Sequence, residues 1–365
     1  MLDKKNKLQN WLKEKEIDVA FVTSTDNVFY LSGFHSNPHE RLLGLMTFQE
    51  GESILICPKM EIEEARHAGW NEEIIGYTDI EDPWEFIQAA VKKRGFTIRQ
   101  AAIEKEHMNV ERYEKLQATF SSPQLFSVEE VLRELRMVKS EDEMKLIREA
   151  CKLADFAIEV GVSEIKEGKT EMDILAAIEF ELKKKGVNQM AFSTMVLTGA
   201  NAASPHGTPG QTKIQKGDLV LFDLGVVYNG YCSDITRTVA FHDISEKQHE
   251  IYNTVLKAEL AAVAATKPGK TAAEIDLTAR NIIREAGYGE YFPHRLGHGL
   301  GISVHEYPSM TETNELVMKE GMVFTIEPGI YVPSVAGVRI EDDVLVTKDG
   351  CEILTQYPKE LQIIK

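Results

Sequence analysis

The sequence predicts two domains: a small α/β domain over residues 1–127, followed by a larger α+β domain over 128–365 made of two pseudo-symmetric halves. Three observations predict this. The first third alternates short apolar runs with charged stretches of helical period, the pattern of an α/β unit. Residues 120–127 (FSSPQLFS) break that pattern with Ser, Ser and Pro. Beyond the break, similar stretches recur 101 residues apart.

In chain order, residues 3–15 read as a helix and 17–23 (IDVAFVT) as a strand. Strands follow at 43–48 (LGLMTF), 53–57 (SILIC) and 101–103 (AAI), with helices at 58–69, 83–94 and 109–119. From Val128 an amphipathic helical pattern runs to about Gly161. Ser140 with Glu143 three residues on is a capping box that starts a new helix. The repeat then begins. EGKTEMDILAAIEFELKKKG ends at Gly186 and PGKTAAEIDLTARNIIREAG ends at Gly287; Thr170 with Asp173 and Thr271 with Glu274 open the helices. Later KGDLVLFDLG matches EGMVFTIEPG, aligning Asp223 with Glu327 at an offset of 104. A period this long marks duplicated half-domains and not a solenoid.

Composition narrows the function classes. The 365 residues suit about two domains. Hydrophobic residues make up 43% and charged residues 27%, which is ordinary for a globular protein. Acids outnumber bases 58 to 41, giving a formal charge of −17, so nucleic acid and anionic membrane are disfavoured as partners. No apolar run has the length of a membrane span, and MLDKKNKLQNWLKEKEIDVAF lacks a signal-type apolar stretch. Cys57, Cys151, Cys232 and Cys351 are widely spaced, with no CxxC pair. The expectation is a reduced, cytoplasmic protein.

The chemistry-bearing residues cluster in the second domain. Asp223 and Glu327 sit at matched points of two apolar strands, where a buried carboxylate is costly unless paired or bound to metal. The Asn229-Gly230 turn predicts a hairpin in which Tyr228 faces Tyr231 and Asp223 faces Thr236. Asp234 is then the diagonal neighbour of Asp223 on the same sheet face, and two converging carboxylates hold a shared cation or a shared proton. The second hairpin carries Glu327 and Glu341, and four acids on two related hairpins suit a two-metal site. His294, His298 and His305 fall within PHRLGHGLGISVHE, favouring one ligand plus hydrogen-bonding partners, which His206 could join. The HxxxH spacing of His294 and His298 lacks the helix and the Glu of a zinc peptidase, which rejects a mononuclear zincin.

These segments, DLG with Asp223, CSDITRT with Asp234, GHG with His298, TIEPG with Glu327 and RIED with Glu341, resemble the ligand set of the pita-bread metallopeptidases. That family includes methionine aminopeptidase, aminopeptidase P and prolidase. The resemblance covers roughly residues 130–365 and implies a pita-bread (creatinase/aminopeptidase) catalytic domain behind a creatinase-like N-terminal α/β domain. It implies two divalent ions, manganese first, with cobalt or zinc as alternatives. Asp223 and Glu341 would bridge them, Asp234 would bind one, and His298 with Glu327 the other. The N-terminal domain and Arg339, two residues before Glu341, resemble the proline-peptidase branch.

The resemblance implies hydrolysis of Xaa-Pro imide bonds in small peptides, with a metal-bridging hydroxide as nucleophile and Glu327 as proton shuttle. His206 and His305 would hold the substrate and stabilise its tetrahedral intermediate. His294 and Arg339 would contact the substrate, and the protein would be a homodimer. The cations Arg339, His206, His294 and His305 suit the free carboxylate of a dipeptide, so an Xaa-Pro dipeptidase is the leading reading. The alternatives are an Xaa-Pro aminopeptidase on longer peptides, a creatinase-like hydrolase of a non-peptide small molecule, and a catalytically dead binding protein. The last two usually lose ligands, and this chain keeps all five. The Gly-Lys-Thr turns at 168–170 and 269–271 lack a P-loop's upstream glycine and read as helix entries. The polar loop 33–41 reads equally as an exposed loop or as one that approaches a neighbouring subunit's site.

Overall fold

A computed structural model describes residues 2–365 and divides into two compact units, Met1–Leu135 and Arg136–Lys365. The first unit contains α1 (Leu2–Glu14), β1 (Val19–Val22), α2 (Thr25–Ser32), β2 (Gly44–Phe48), β3 (Ile54–Pro58) and α3 (Ile62–His67). It continues through β4 (Glu73–Tyr77), α4 (Pro83–Lys93), β5 (Gln100–Ile103), α5 (Val110–Thr119) and β6 (Gln124–Ser127), after which α6 (Glu129–Met137) begins. The strands form one mixed sheet in the order β4-β3-β2-β1-β5-β6. Val19, Phe21, Met46, Phe48, Ile54 and Ile56 build its core with Trp84 and Ile87 of α4.

The structure corrects the sequence reading at three places in this unit. Residues 124–127 form β6, parallel to β5 with Ala101 opposite Leu125, where only a break was expected. Ser121 and Ser122, both with positive φ, supply the break; the strand after them exists through pairing that leaves no mark in local periodicity. Strand β4 and helix α2 were also missed. Each is short, and α2 starts at the Ser24 cap, whose side chain accepts from the Asn27 N–H.

The second unit opens its first half with α7 (Glu141–Ser163) and α8 (Glu171–Lys184). The strands β7 (Gln189–Met190), β8 (Met195–Thr198), β9 (Leu219–Leu224), β10 (Val226–Tyr228), β11 (Tyr231–Cys232) and β12 (Ile235–Phe241) follow. Its second half opens with α9 (Glu246–Ala265) and α10 (Ala272–Glu285), then β13 (Gly297–Gly299), β14 (Glu306–Met310) and β15 (Val323–Ile326). It closes with β16 (Gly329–Val332), β17 (Ala336–Arg339), β18 (Asp342–Val346), β19 (Cys351–Ile353) and β20 (Ile363–Ile364). The principal sheets run β20-β12-β9-β8 and β14-β13-β15-β18-β19.

The expected capping boxes form at Ser140/Glu143, Thr170/Asp173 and Thr271/Glu274. Each half packs its helices on its own sheet, Ile158, Ile178, Phe222 and Ile235 in one core and Ile251, Ile283, Phe324 and Val344 in another. Gly161 lets α7 lie directly on β9, since a Cβ there would come within 2.7 Å of the Phe222 ring. Among the described residues no helix is long and apolar enough to cross a membrane, and the four cysteines are free.

Candidate active site

Two hairpins bring the four acids together. In the first, β9 and β12 pair antiparallel with Asp223 opposite Thr236, and Tyr228 opposes Tyr231. The turn residues Asn229 and Gly230 have φ of 47° and 83°, the positive values that favour this dipeptide. In the second, Ile326 opposes Asp342, which places Glu327 and Glu341 just past the paired ends of β15 and β18. The hairpins join where the Glu341 N–H donates to the Thr236 carbonyl (3.1 Å) and Thr236 Oγ1 donates to Glu341 Oε2 (2.6 Å).

His298 enters from β13, so the HxxxH spacing falls on a strand and not on a zincin helix. Its Nδ1 lies 3.1 Å from the Gly299 carbonyl and must donate to it. The Nε2 lone pair then faces Glu327 Oε1 at 3.3 Å and Asp234 Oδ2 at 3.7 Å. Burial pushes His298 down to about 3, so its ring is neutral. A lone pair aimed at two carboxylate oxygens calls for a cation or a shared proton between them. Asp234, His298 and Glu341 offer ligand atoms that all lie within 4.8 Å of one another. The buried atoms Asp223 Oδ1 and Asp234 Oδ1 have no hydrogen-bond partner. An oxygen-rich set with one imidazole and unsatisfied buried carboxylate atoms fits hard or borderline divalent ions.

The electrostatics agree. Burial, reinforced by neighbouring carboxylates, holds Asp234 and Glu341 well above the ordinary carboxylate range. Burial also raises Glu327, to about 7. Asp223 is raised by burial against the pull of Arg339, whose Nη2 donates to Asp223 Oδ2. A bound cation would reverse these upward shifts.

A cavity of about 410 Å³ is lined by all five candidate ligands and by His206, His294, His305 and Arg339, so every residue expected at the site converges on it. The rings of His298 and His305 meet edge to face at 4.2 Å. All three nitrogens of the Arg339 guanidinium are engaged: Nε donates to Thr236 Oγ1 (3.1 Å), Nη1 to the Tyr331 hydroxyl (2.7 Å) and Nη2 to Asp223. His294 Nδ1 donates to the Arg295 carbonyl (2.8 Å), which leaves Nε2 to accept from the Tyr331 hydroxyl at 3.0 Å. Burial lowers His294 to about 4, consistent with that neutral ring.

Sequence reasoning missed Tyr331, Arg295 and the apolar wall of Phe192, Met195 and Val304. Arg295 had a signal, lying beside His294 in the histidine-rich loop. Tyr331 had none, because it reads as an ordinary strand aromatic. The same loop is moored from below: buried Asp276 accepts from the Leu296 N–H (3.1 Å) and pairs with Arg280, whose Nη2 donates to the His294 carbonyl (2.9 Å).

Comparison with known proteins agrees with this geometry. Residues 145–348 match the metallopeptidase family M24, and residues 4–138 match the creatinase/prolidase N-terminal domain. The Bacillus subtilis (strain 168) protein named "Putative dipeptidase YkvY" is 56% identical over 358 residues, covering 98% of this chain and 99% of that one. The prolidase from Pyrococcus horikoshii OT3 superposes with a TM-score of 0.92 at 39% identity, covering 99% of this chain and 100% of that one. An Xaa-Pro dipeptidase from Bacillus anthracis gives 0.93 at 34% identity, covering 100% and 99%. This chain belongs to the metallopeptidase family M24 and carries the creatinase/prolidase N-terminal domain ahead of its catalytic unit.

Proposed function

We propose that the protein is a dinuclear-metal Xaa-Pro dipeptidase of the cytoplasm, acting as a homodimer with manganese as its first metal. The observation that carries this reading is the convergence of four carboxylates and the Nε2 of a neutral His298 on one cavity of about 410 Å³ that also holds two arginines. That volume suits a small ligand. Asp223, Asp234, His298, Glu327 and Glu341 would hold the ions. Two divalent ions in such a site lower the pKa of a shared water and polarise the scissile carbonyl.

The chain's own residues do the rest. Glu327, which lines the cavity beside Asp223, Asp234 and His298, accepts the attacking water's proton and delivers it to the prolyl nitrogen as the imide C–N bond breaks. His305 and His206 donate hydrogen bonds to the oxygen that gains charge. Arg339 orients Asp223 and Tyr331. An imide bond to proline has no N–H to be read, so selection rests on shape and charge. Arg295, whose Nη1 donates to Ser309 Oγ at 3.2 Å, lines the cavity and supplies positive charge for a free prolyl carboxylate.

The test compares kcat/KM for Ala-Pro and Ala-Pro-Ala at matched manganese loading. A charge-assisted contact to the terminal carboxylate should favour the dipeptide by roughly tenfold or more. Equal or better cleavage of the tripeptide would make the protein an aminopeptidase.

A further inference from the structure

We propose that Glu171 is a positioning residue for the loop that carries His206, setting where that histidine meets substrate without itself reaching the cavity. The inference rests on the reading of His206 as a substrate-side residue. Glu171 is the first residue of α8 and is 0% exposed. Its Oε1 accepts from the Thr198 N–H at 2.8 Å, and its Oε2 accepts from the Gly210 N–H at 2.8 Å. Asn201 Nδ2 lies 3.0 Å from both oxygens and also donates to the Thr208 carbonyl at 3.2 Å. One buried carboxylate therefore grips the loop at 198, 201 and 210, on both sides of the His206 segment. Within that bracket, the Ser204 N–H donates to Asn201 O (3.1 Å) and the Gly207 N–H to Ser204 O (3.0 Å).

The duplication separates this role from plain scaffolding. In the first half the N–H groups of Glu171 and Met172 dock α8 onto the carbonyls of Thr212 and Gly210 (3.1 and 3.2 Å). In the second half Ala272 and Ala273 dock α10 onto Leu316 and Asn314 in the same way (3.0 and 2.8 Å). The helix start is built identically with alanine at the matched position, so it does not need the acid. What the acid adds is the hold on the loop. A carboxylate group offers several acceptor sites, and here they face N–H donors drawn from that loop.

The experiment uses the full-length protein, loaded with manganese for kinetics and with diamagnetic zinc for NMR, and Glu171→Gln, which keeps the shape but turns one acceptor into a donor against loop N–H groups. Amide exchange across 199–210 should accelerate and the His206 ring signals should shift by NMR, with metal content unchanged. On Ala-Pro, kcat/KM should fall roughly 10- to 100-fold, and the double variant with His206→Ala should be no slower than His206→Ala alone. Unchanged exchange and His206 signals, or losses that add in the double variant, would overturn the proposal. Asn201→Ala removes one arm only, should move the same readouts less, and decides the question if Glu171→Gln does not fold. The exchange and NMR readouts need no substrate, so a wild-type protein inactive on Ala-Pro would contradict the proposed function while leaving this inference still decided.

Discussion

The two halves of the catalytic unit share a plan and differ in their loops. Each starts with a capped helix pair, lays it on a sheet, and ends in a hairpin that presents acids: Asp223 and Asp234 from one, Glu327 and Glu341 from the other. The loops that reach the same cavity are anchored by opposite charge. In the first half a buried carboxylate, Glu171, gathers N–H groups around the His206 loop. In the second, a buried guanidinium, Arg280, held by Asp276, gathers the carbonyls of Phe292 and His294. The two halves share the acid-bearing hairpins and differ in how the loops around the cavity are anchored.

The largest expected effect separates the matched acids of the two hairpins. Glu327→Gln should lower kcat by about 10²- to 10⁴-fold with the fold intact, because it removes both a ligand charge and the proposed proton shuttle. Asp223→Asn should lower the bound metal measured on the purified protein further than Glu327→Gln does. If both variants lose metal equally and Glu327→Gln turns over at near the wild-type rate, the two hairpins have no division of labour.

A smaller effect concerns the anchors. Arg280→Ala strands Asp276 in the second core as an unpaired buried charge and should cost about 3–5 kcal/mol in urea unfolding. A loss below about 1 kcal/mol, the range of an exposed pair, would show that this loop does not depend on its anchor.

The smallest effect tests the capping boxes. Asp173 is lowered first by the Thr170 backbone N–H, and Glu274 first by the Lys270 side chain. Both folded values lie below the unfolded ones. The stability each contributes is therefore complete above the ordinary carboxylate range and is lost as pH falls through the lowered folded value. Salt should raise the Glu274 value more than that of Asp173, since a mobile surface ion pair is screened and a backbone hydrogen bond is not. NMR titration at low and high salt checks this, and equal responses would contradict it.

What the sequence disclosed, and what it did not, follows from the range of the forces involved. The Asn229-Gly230 turn determines register within a few residues, so Asp223 opposite Thr236 could be read directly. The repeat exposed the paired acids because each interrupts an apolar run. Strand β6 was hidden because QLFS carries only two apolar residues, and its pairing partner β5 lies about twenty residues away in the chain. Tyr331 and Glu171 were hidden for a similar reason. One looks like a core aromatic and the other like a first-turn helix acid, and only tertiary contacts with Arg339, His294 and the 198–210 loop give them roles.

The central claim is that the two hairpins together hold two ions that hydrolysis requires. The most direct measurement strips the protein of metal, then titrates manganese back while following Ala-Pro hydrolysis and bound metal together. The expected result is no turnover in the stripped protein, with activity restored and saturating at two ions per chain. Full activity without metal, or saturation at a single ion, would contradict it.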